Sequence, residues 1–138
     1  MTSKIAVIGF GNIAKAIITP LFDKKLLNPK DVYCLVNTKK SLENIRKNYN
    51  YEINIFQANS KDSEIIRDCQ VKLLSVKPQQ LKNISELEKN QSDRNLLISV
   101  LAGVSLEKLI KLFPNHECVR VVTNIPITIG QGLTGIAW

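Results

Sequence analysis

Lys4-Ile5-Ala6-Val7-Ile8-Gly9-Phe10-Gly11-Asn12-Ile13-Ala14 decides how the rest of this chain is read. Residues 4–9 are a nearly unbroken apolar run ending in glycine, the pattern of a strand buried on both faces. From Asn12 onward, Ile13, Ile17 and Leu21 recur at helical spacing. A buried strand, a glycine turn and a helix in immediate succession open a parallel βαβ unit. Within the turn, Gly9 makes the tight bend, Gly11 lets a ligand approach the backbone, and Ala14 lets helix and strand pack closely. The first turn of such a helix has unbonded N–H groups and a partial positive charge, which suit phosphate oxygens. Glycines also serve plain strand–helix turns, so it is the context that points to a dinucleotide pyrophosphate held by Gly9, Phe10, Gly11, Asn12 and Ile13.

The alternation continues outward from this unit. Strands are expected at 32–36, 53–56, 71–76, 96–101 and 118–122, with helices between them. The first helix contains Pro20, which removes a hydrogen bond and costs about 3 kcal/mol in a helix interior, so a kink or restart is expected there. A second helix covers Ser41 to Lys47, and a third runs from Asn59 or Ser60 to about Asp68. Pro78 stands at the start of a fourth, with Leu81, Ile84 and Leu87 on its inner face. Ser105 caps a fifth, with Leu106, Leu109 and Ile110 inward, ended by Pro114. The expected fold is α/β, a Rossmann-type doubly wound, mainly parallel sheet with helices on both faces. Residues 1–124 would be the dinucleotide-binding domain. Residues 125–138 carry no charge and end in a tryptophan, and read as an apolar connector towards a second domain.

Composition narrows the chemistry. At 138 residues and 44% hydrophobic content, the chain can bury a core without metals or disulfides. Cys34, Cys69 and Cys118 show no C-x-x-C spacing, and His116 is the single histidine. Zinc ribbons, an even disulfide framework and a Ser-His-Asp triad are therefore disfavoured, and a reducing cytosol is the expected compartment. The net charge of +7 comes from 15 lysines and only 4 arginines, without aromatic stacking repeats, so nucleic acid is not the expected partner. No apolar run is long enough for a signal peptide or a membrane span.

Four further stretches lie just past expected strand ends, where open α/β sheets bind ligands. After the second strand, Asn37-Thr38-Lys39-Lys40 is neutral and then doubly basic, where NAD-specific sites carry a carboxylate for the ribose 2′-hydroxyl. This favours NADP(H), through hydrogen bonds from Asn37 or Thr38 and charge from Lys39 or Lys40. Val76-Lys77-Pro78 follows the fourth strand, Ala102-Gly103 the fifth and Asn124 the sixth. Each has a bland reading as a simple chain turn.

Taken in order, IGFGNIAKAI, SVKPQQ, ISVLAGVSLEKL and RVVTNIPITIGQGLTG resemble pyrroline-5-carboxylate reductase, the last enzyme of proline biosynthesis. The resemblance covers essentially all 138 residues and is to that family's N-terminal NADP-binding domain. It implies hydride transfer from NADPH to the C=N bond of 1-pyrroline-5-carboxylate. It places the pyrophosphate on Gly9 to Ile13, the 2′-phosphate on Asn37 to Lys40, and the nicotinamide end among Val76, Lys77, Pro78, Ala102, Gly103 and Asn124. It also implies a helical C-terminal domain that forms a dimer and grips the substrate, so no catalytic acid or base is expected in this segment. Two departures stand out: counting back from Lys77 puts Asp62 where the family has an adenosine-side asparagine, and Ile125 replaces a usual Thr. Two other classes remain open, another two-domain reductase acting on a 2-oxo or 3-hydroxy acid, and a non-enzymatic nucleotide-binding protein.

Overall fold

The computed structural model describes residues 3–89, 94–124 and 132–138. Among these, seven strands make one sheet: β1 (Ile5–Ile8), β2 (Val32–Val36), β3 (Asn54–Gln57), β4 (Val71–Leu74), β5 (Asn95–Ser99), β6 (His116–Thr123) and β7 (Thr134–Ala137). Their order is β3-β2-β1-β4-β5-β6-β7, parallel throughout except for the antiparallel β6–β7 pair. The helices are α1 (Asn12–Asp23), α2 (Lys39–Asn48), α3 (Leu81–Leu87) and α4 (Leu106–Leu112). This is the doubly wound sheet the sequence predicts. The chain winds outward from β1 through β2 to β3, then crosses to β4 on the other side, leaving a switch point between β1 and β4.

Alternation along β1 shows why both faces need helices. Ala6 and Ile8 point into a core with Leu74, Leu81, Leu97, Leu109 and Phe113, beneath α3 and α4. Val7 points the other way, into a core with Phe22, Cys34, Ile45 and Leu73, beneath α1 and α2. With every β1 side chain at least partly covered, the strand has to be apolar throughout.

Several expectations change in detail. Helix α1 runs through Pro20 without a break, and its buried stripe is Ala14, Ile18 and Phe22. Ile13, expected inward, is 48% exposed at the helix start, and Ile110 of α4 is likewise turned to solvent. The segment expected as a helix over 59–68 forms only a 3-10 helix at Lys61–Ile66. Serine hydroxyls compete there for the backbone: Ser60 Oγ donates to the Gln57 carbonyl (2.8 Å) and Ser63 Oγ to the Ser60 carbonyl (2.6 Å). Finally, residues 134–137, expected in a loose connector, pair with β6 in the register Arg120↔Ala137 to Thr123↔Thr134. Uncharged residues with a β-branched isoleucine suit a strand once a neighbouring edge is available. Residues 125–131 of the expected connector, including Ile125, lie outside the described residues.

At the opposite end of the sheet from the glycine turn, three titratable side chains are buried together. Lys72 of β4 is 0% exposed, with Glu88 just after α3 and His116 at the start of β6 beside it. Lys72 Nζ donates to Glu88 Oε2 at 2.5 Å and to the Arg67 carbonyl at 3.2 Å. His116 Nε2 lies 3.2 Å from the same Glu88 oxygen. Burial alone would raise the Glu88 carboxyl; His116 and Lys72 more than offset it and hold it below the ordinary glutamate value.

Candidate nucleotide site at the strand switch point

The carboxyl ends of β1, β2, β4 and β5 open onto a crevice on either side of the glycine turn. Gly9 sits at φ +86°, and its N–H continues the ladder to the Leu35 carbonyl (2.8 Å). A Cβ there would lie 2.4 Å from the Ser75 carbonyl oxygen, so the β1 and β4 ends touch through glycine alone. Gly11 differs. It is the N-cap of α1, and a Cβ on it would meet nothing within 4 Å. No side chain caps α1, and its first turn carries no acidic residue. Free N–H groups therefore face open space at the start of a 12-residue helix, a fit for an anionic diphosphate.

Two hollows flank this turn. The smaller, about 140 Å³, is lined by Gly9, Val36, Asn37, Asn59 and Val76. The larger, about 580 Å³, is lined by Gly11, Asn12, Ile13, Val76, Lys77, Pro78, Ala102 and Gly103, with Arg120 and Thr123 from β6. Four separate stretches singled out in the sequence thus converge on one crevice. The lining chains run in register because each loop continues its strand's ladder: Ser75 N–H donates to Ile8 O (2.8 Å) and Val100 N–H to Leu74 O (3.2 Å).

Individual residues sort by what they can offer. The Phe10 side chain is 5% exposed and packs edge-on to Tyr49 at 5.1 Å, so Phe10 offers the crevice only its backbone. Asn37 is exposed beside the smaller hollow. Thr38 is the N-cap of α2: its hydroxyl accepts from Ser41 N–H (3.1 Å) and donates to Ser41 Oγ (2.9 Å). Lys39 Nζ is 3.9 Å from Glu43, whereas Lys40 is exposed with no ion pair among the described residues. Lys77 is exposed; its N–H donates to Gln80 Oε1 at 3.2 Å, locking the turn that Pro78 begins. Gly103 takes φ +71° in the turn after β5. Asn124 stands at the end of β6, where its Oδ1 accepts from Leu133 N–H (2.9 Å) and ties that end to the approach of β7.

Other residues reach the crevice without having been singled out. Asn59, at φ +67°, lines the smaller hollow next to Asn37. Asp62, reached by counting back from Lys77, instead lines a separate groove with Phe56, Lys61 and Arg67. Asn after a strand is a fair signal for a left-handed turn, but spacing alone pointed three residues further on. Arg120 could be read only as a β6 residue, yet it lines the larger hollow and its Nε is buried without a hydrogen-bond partner among the described residues.

Among the described residues, neither hollow is lined by a His, Cys, Asp or Glu side chain. Burial raises all three thiols, Cys69 to about 11, so none is a ready nucleophile. Among the described residues, no group of three or more His, Cys, Asp or Glu side chains could hold a metal ion.

Residues 4–103 match the family model described as NADP oxidoreductase, coenzyme F420-dependent. The chain belongs to this oxidoreductase family. Within it, the chain is similar to the pyrroline-5-carboxylate reductase of Synechocystis sp., 32% identical over 137 residues, covering 99% of this chain and 49% of that protein. The enzyme of the same name from Arabidopsis thaliana is 27% identical over 129 residues, covering 93% and 45%. A solved pyrroline-5-carboxylate reductase from Coxiella burnetii superposes with a TM-score of 0.81 at 27% identity, covering 99% and 49%. The fold is also that of the Plasmodium falciparum pyrroline carboxylate reductase solved with NADP bound (TM-score 0.78, 20% identity, 98% and 47% covered). The chain spans about half the length of the curated relatives it matches.

Proposed function

We propose that this chain is the NADPH-binding half of a pyrroline-5-carboxylate reductase, acting in proline biosynthesis by reducing the C=N bond of 1-pyrroline-5-carboxylate. The observation that supports this best is the convergence of the glycine turn, Asn37 at the end of β2, and the Val76-Lys77-Pro78 and Ala102-Gly103 turns on the two hollows that flank the glycine turn. The names of its relatives point to the same reaction. When bound, NADPH supplies the hydride from its nicotinamide C4 to the imine carbon.

The chain's own residues bind and orient. The free N–H groups of Gly11, Asn12 and Ile13 hold the pyrophosphate. Asn37, the first turn of α2 and Lys40 hold the 2′-phosphate, with Lys39 assisting from its place beside Glu43. Val76, Pro78, Ala102 and Gly103 shape the wall beside the nicotinamide. Lys77 positions rather than transfers a proton, and Asn124 braces the β6 end of the crevice. In this reading residues 1–124 are the dinucleotide-binding domain and 125–138 are an apolar connector, its 134–137 portion laid along β6. The relatives' roughly double length supports a second domain; that this domain supplies substrate-binding groups and makes the whole enzyme a homo-oligomer is what the resemblance implies. Three free, buried cysteines support a reducing, cytoplasmic setting, and a net charge carried by lysines without aromatic stacking repeats supports a reading without nucleic acid as partner; among the described residues no helix is long and apolar enough to cross a membrane.

Two results test this. Calorimetry at low salt is expected to show tighter binding of NADPH than of NADH. Lys39→Ala with Lys40→Ala should cost NADPH roughly five- to tenfold and NADH less than twofold. Equal affinities for the two cofactors would overturn the assignment. Second, residues 1–138 alone, freed of host reductase, should bind NADPH yet barely oxidise it at 340 nm with pyrroline-5-carboxylate. Holding two reactants in place is worth roughly 7–11 kcal/mol of barrier, and this crevice has one wall. Turnover within tenfold of a full-length relative would refute that division of labour. Turnover of 2-oxo or 3-hydroxy acids by such a relative, in place of pyrroline-5-carboxylate, would refute the substrate.

A further inference from the structure

We infer that Arg120 makes the larger hollow a carboxylate-binding site, its guanidinium holding a small carboxylate beside β6. The inference rests on Arg120 and does not need the proposed reaction, in which the occupant would be the imine's own carboxylate. The chain has four arginines, and three of them stand near acids. Arg94 Nη1 lies 4.0 Å from Glu117, Arg46 shares a groove with Glu52, and Arg67 shares one with Asp62, Glu64 and Asp68. Arg120 differs. Among the described residues, the hollow that it lines carries one other charged side chain, Lys77, and no acid.

Burial makes the missing partner costly. Arg120 is half-buried, its Nε is closed to solvent, and none of its N–H donors has a hydrogen bond or ion pair among the described residues. A guanidinium carries five donors and no acceptor, and it cannot shed its charge. Drawing it out of water without a partner costs stability that an apolar side chain of similar length would not. The neighbouring strand does not answer it either: opposite Arg120 in β5 stands Ser99, whose Oγ accepts from Leu101 N–H (3.3 Å). A ligand that pairs with the guanidinium accounts for an arginine so placed. Position and shape then choose the ligand. The free N–H groups of α1 follow β1, and the order β1-β4-β5-β6 sets β6 three strands away, roughly 14 Å. The diphosphate at the glycine turn and the group at Arg120 are therefore separate oxyanions. Parallel N–H pairs on the planar guanidinium match the two oxygens of a carboxylate, whereas the exposed Lys77 offers only a point charge.

In nitrogen-15-labelled residues 1–138, the four arginines give a small set of Nε–Hε signals, and Arg120→Lys identifies the one from residue 120. Acetate, titrated against sodium chloride at constant ionic strength, should shift that signal with half-saturation at about 10 mM. The Arg46 and Arg94 signals should hardly move. Arg120→Met should lose the acetate response and weaken NADPH binding by less than about threefold. It should also melt no lower than the parent, because no buried donor is then left unpaired. An Arg120 signal unmoved by acetate, the same shift with chloride, or an equal response at Arg46 and Arg94 would overturn the proposal. So would Arg120→Met melting several degrees lower, the mark of a structural brace. A loss of NADPH affinity of about tenfold or more in that variant, with acetate inert, would give Arg120 to the cofactor's diphosphate and overturn the carboxylate. A parent chain that answers acetate at Arg120 but does not bind NADPH would refute the proposed cofactor and leave this inference standing.

Discussion

Gly9→Val is expected to unfold most of the chain at room temperature or lower its melting point by about 10 °C or more, whereas Gly11→Val is expected to leave it folded and unable to bind NADPH. The two glycines sit two residues apart in one turn but are required for different reasons. At Gly9 any Cβ falls 2.4 Å from the Ser75 carbonyl oxygen and 2.8 Å from its carbon, and both belong to backbone that cannot turn aside. The residue also takes φ +86°, which disfavours every L side chain. Overlap and backbone strain together should cost about 3 kcal/mol or more, a large part of a small domain's stability. At Gly11 a Cβ meets nothing within 4 Å, so the protein itself does not object. A valine there would occupy the space in front of the α1 N–H groups that the pyrophosphate needs. Thermal melting followed by circular dichroism, with calorimetric titration of NADPH, separates the two cases. A Gly9 variant melting within a few degrees of the parent, or a Gly11 variant with unchanged affinity, would show that the turn is misread.

The buried Lys72–Glu88 pair should show the second large effect. Lys72→Ala leaves Glu88 5% exposed without its cation, which is expected to cost about 3–5 kcal/mol. Lys72→Met combined with Glu88→Leu should recover most of that loss, because the desolvation cost goes with the charges. The pH dependence follows from the direction of the Glu88 shift. Its carboxyl is held below the ordinary value of 4.5, so its contribution is fully present above about pH 4.5. The contribution is lost as pH falls through the depressed folded value, where the native state must accept a proton it holds less readily than the unfolded chain. Chemical denaturation from pH 7 to pH 3 should therefore show a steeper acid loss for the parent than for Glu88→Gln. Parallel slopes would mean that the carboxylate carries no linkage.

Much of this protein was determined by sequence alone because it depends on local patterning. An apolar strand ending at Gly9, followed by Asn12 opening a helix, can hardly be anything but the first unit of a parallel sheet, and each later run repeats the logic. The crevice was legible for a related reason. In such a sheet, whatever follows a strand's carboxyl end must arrive at the same side, so Asn37, Val76 and Ala102 could be grouped before any coordinates. Tertiary structure decided what depends on partners distant in sequence. Periodicity could not choose between Ile13-Ile17-Leu21 and Ala14-Ile18-Phe22 as the buried stripe of α1, because only the pitch of the helix on the sheet selects it. Nothing in VKLL marks Lys72 as the most deeply buried cation, since its partner Glu88 arrives from α3, 16 residues later. Residues 134–137 became a strand because β6 offered an unpaired edge, and Asn59 reached the crevice because a left-handed residue turned the chain after β3. Spacing along a chain sets the period and the order of elements. Which side chains meet is settled by packing, where contacts between remote segments outweigh local preference.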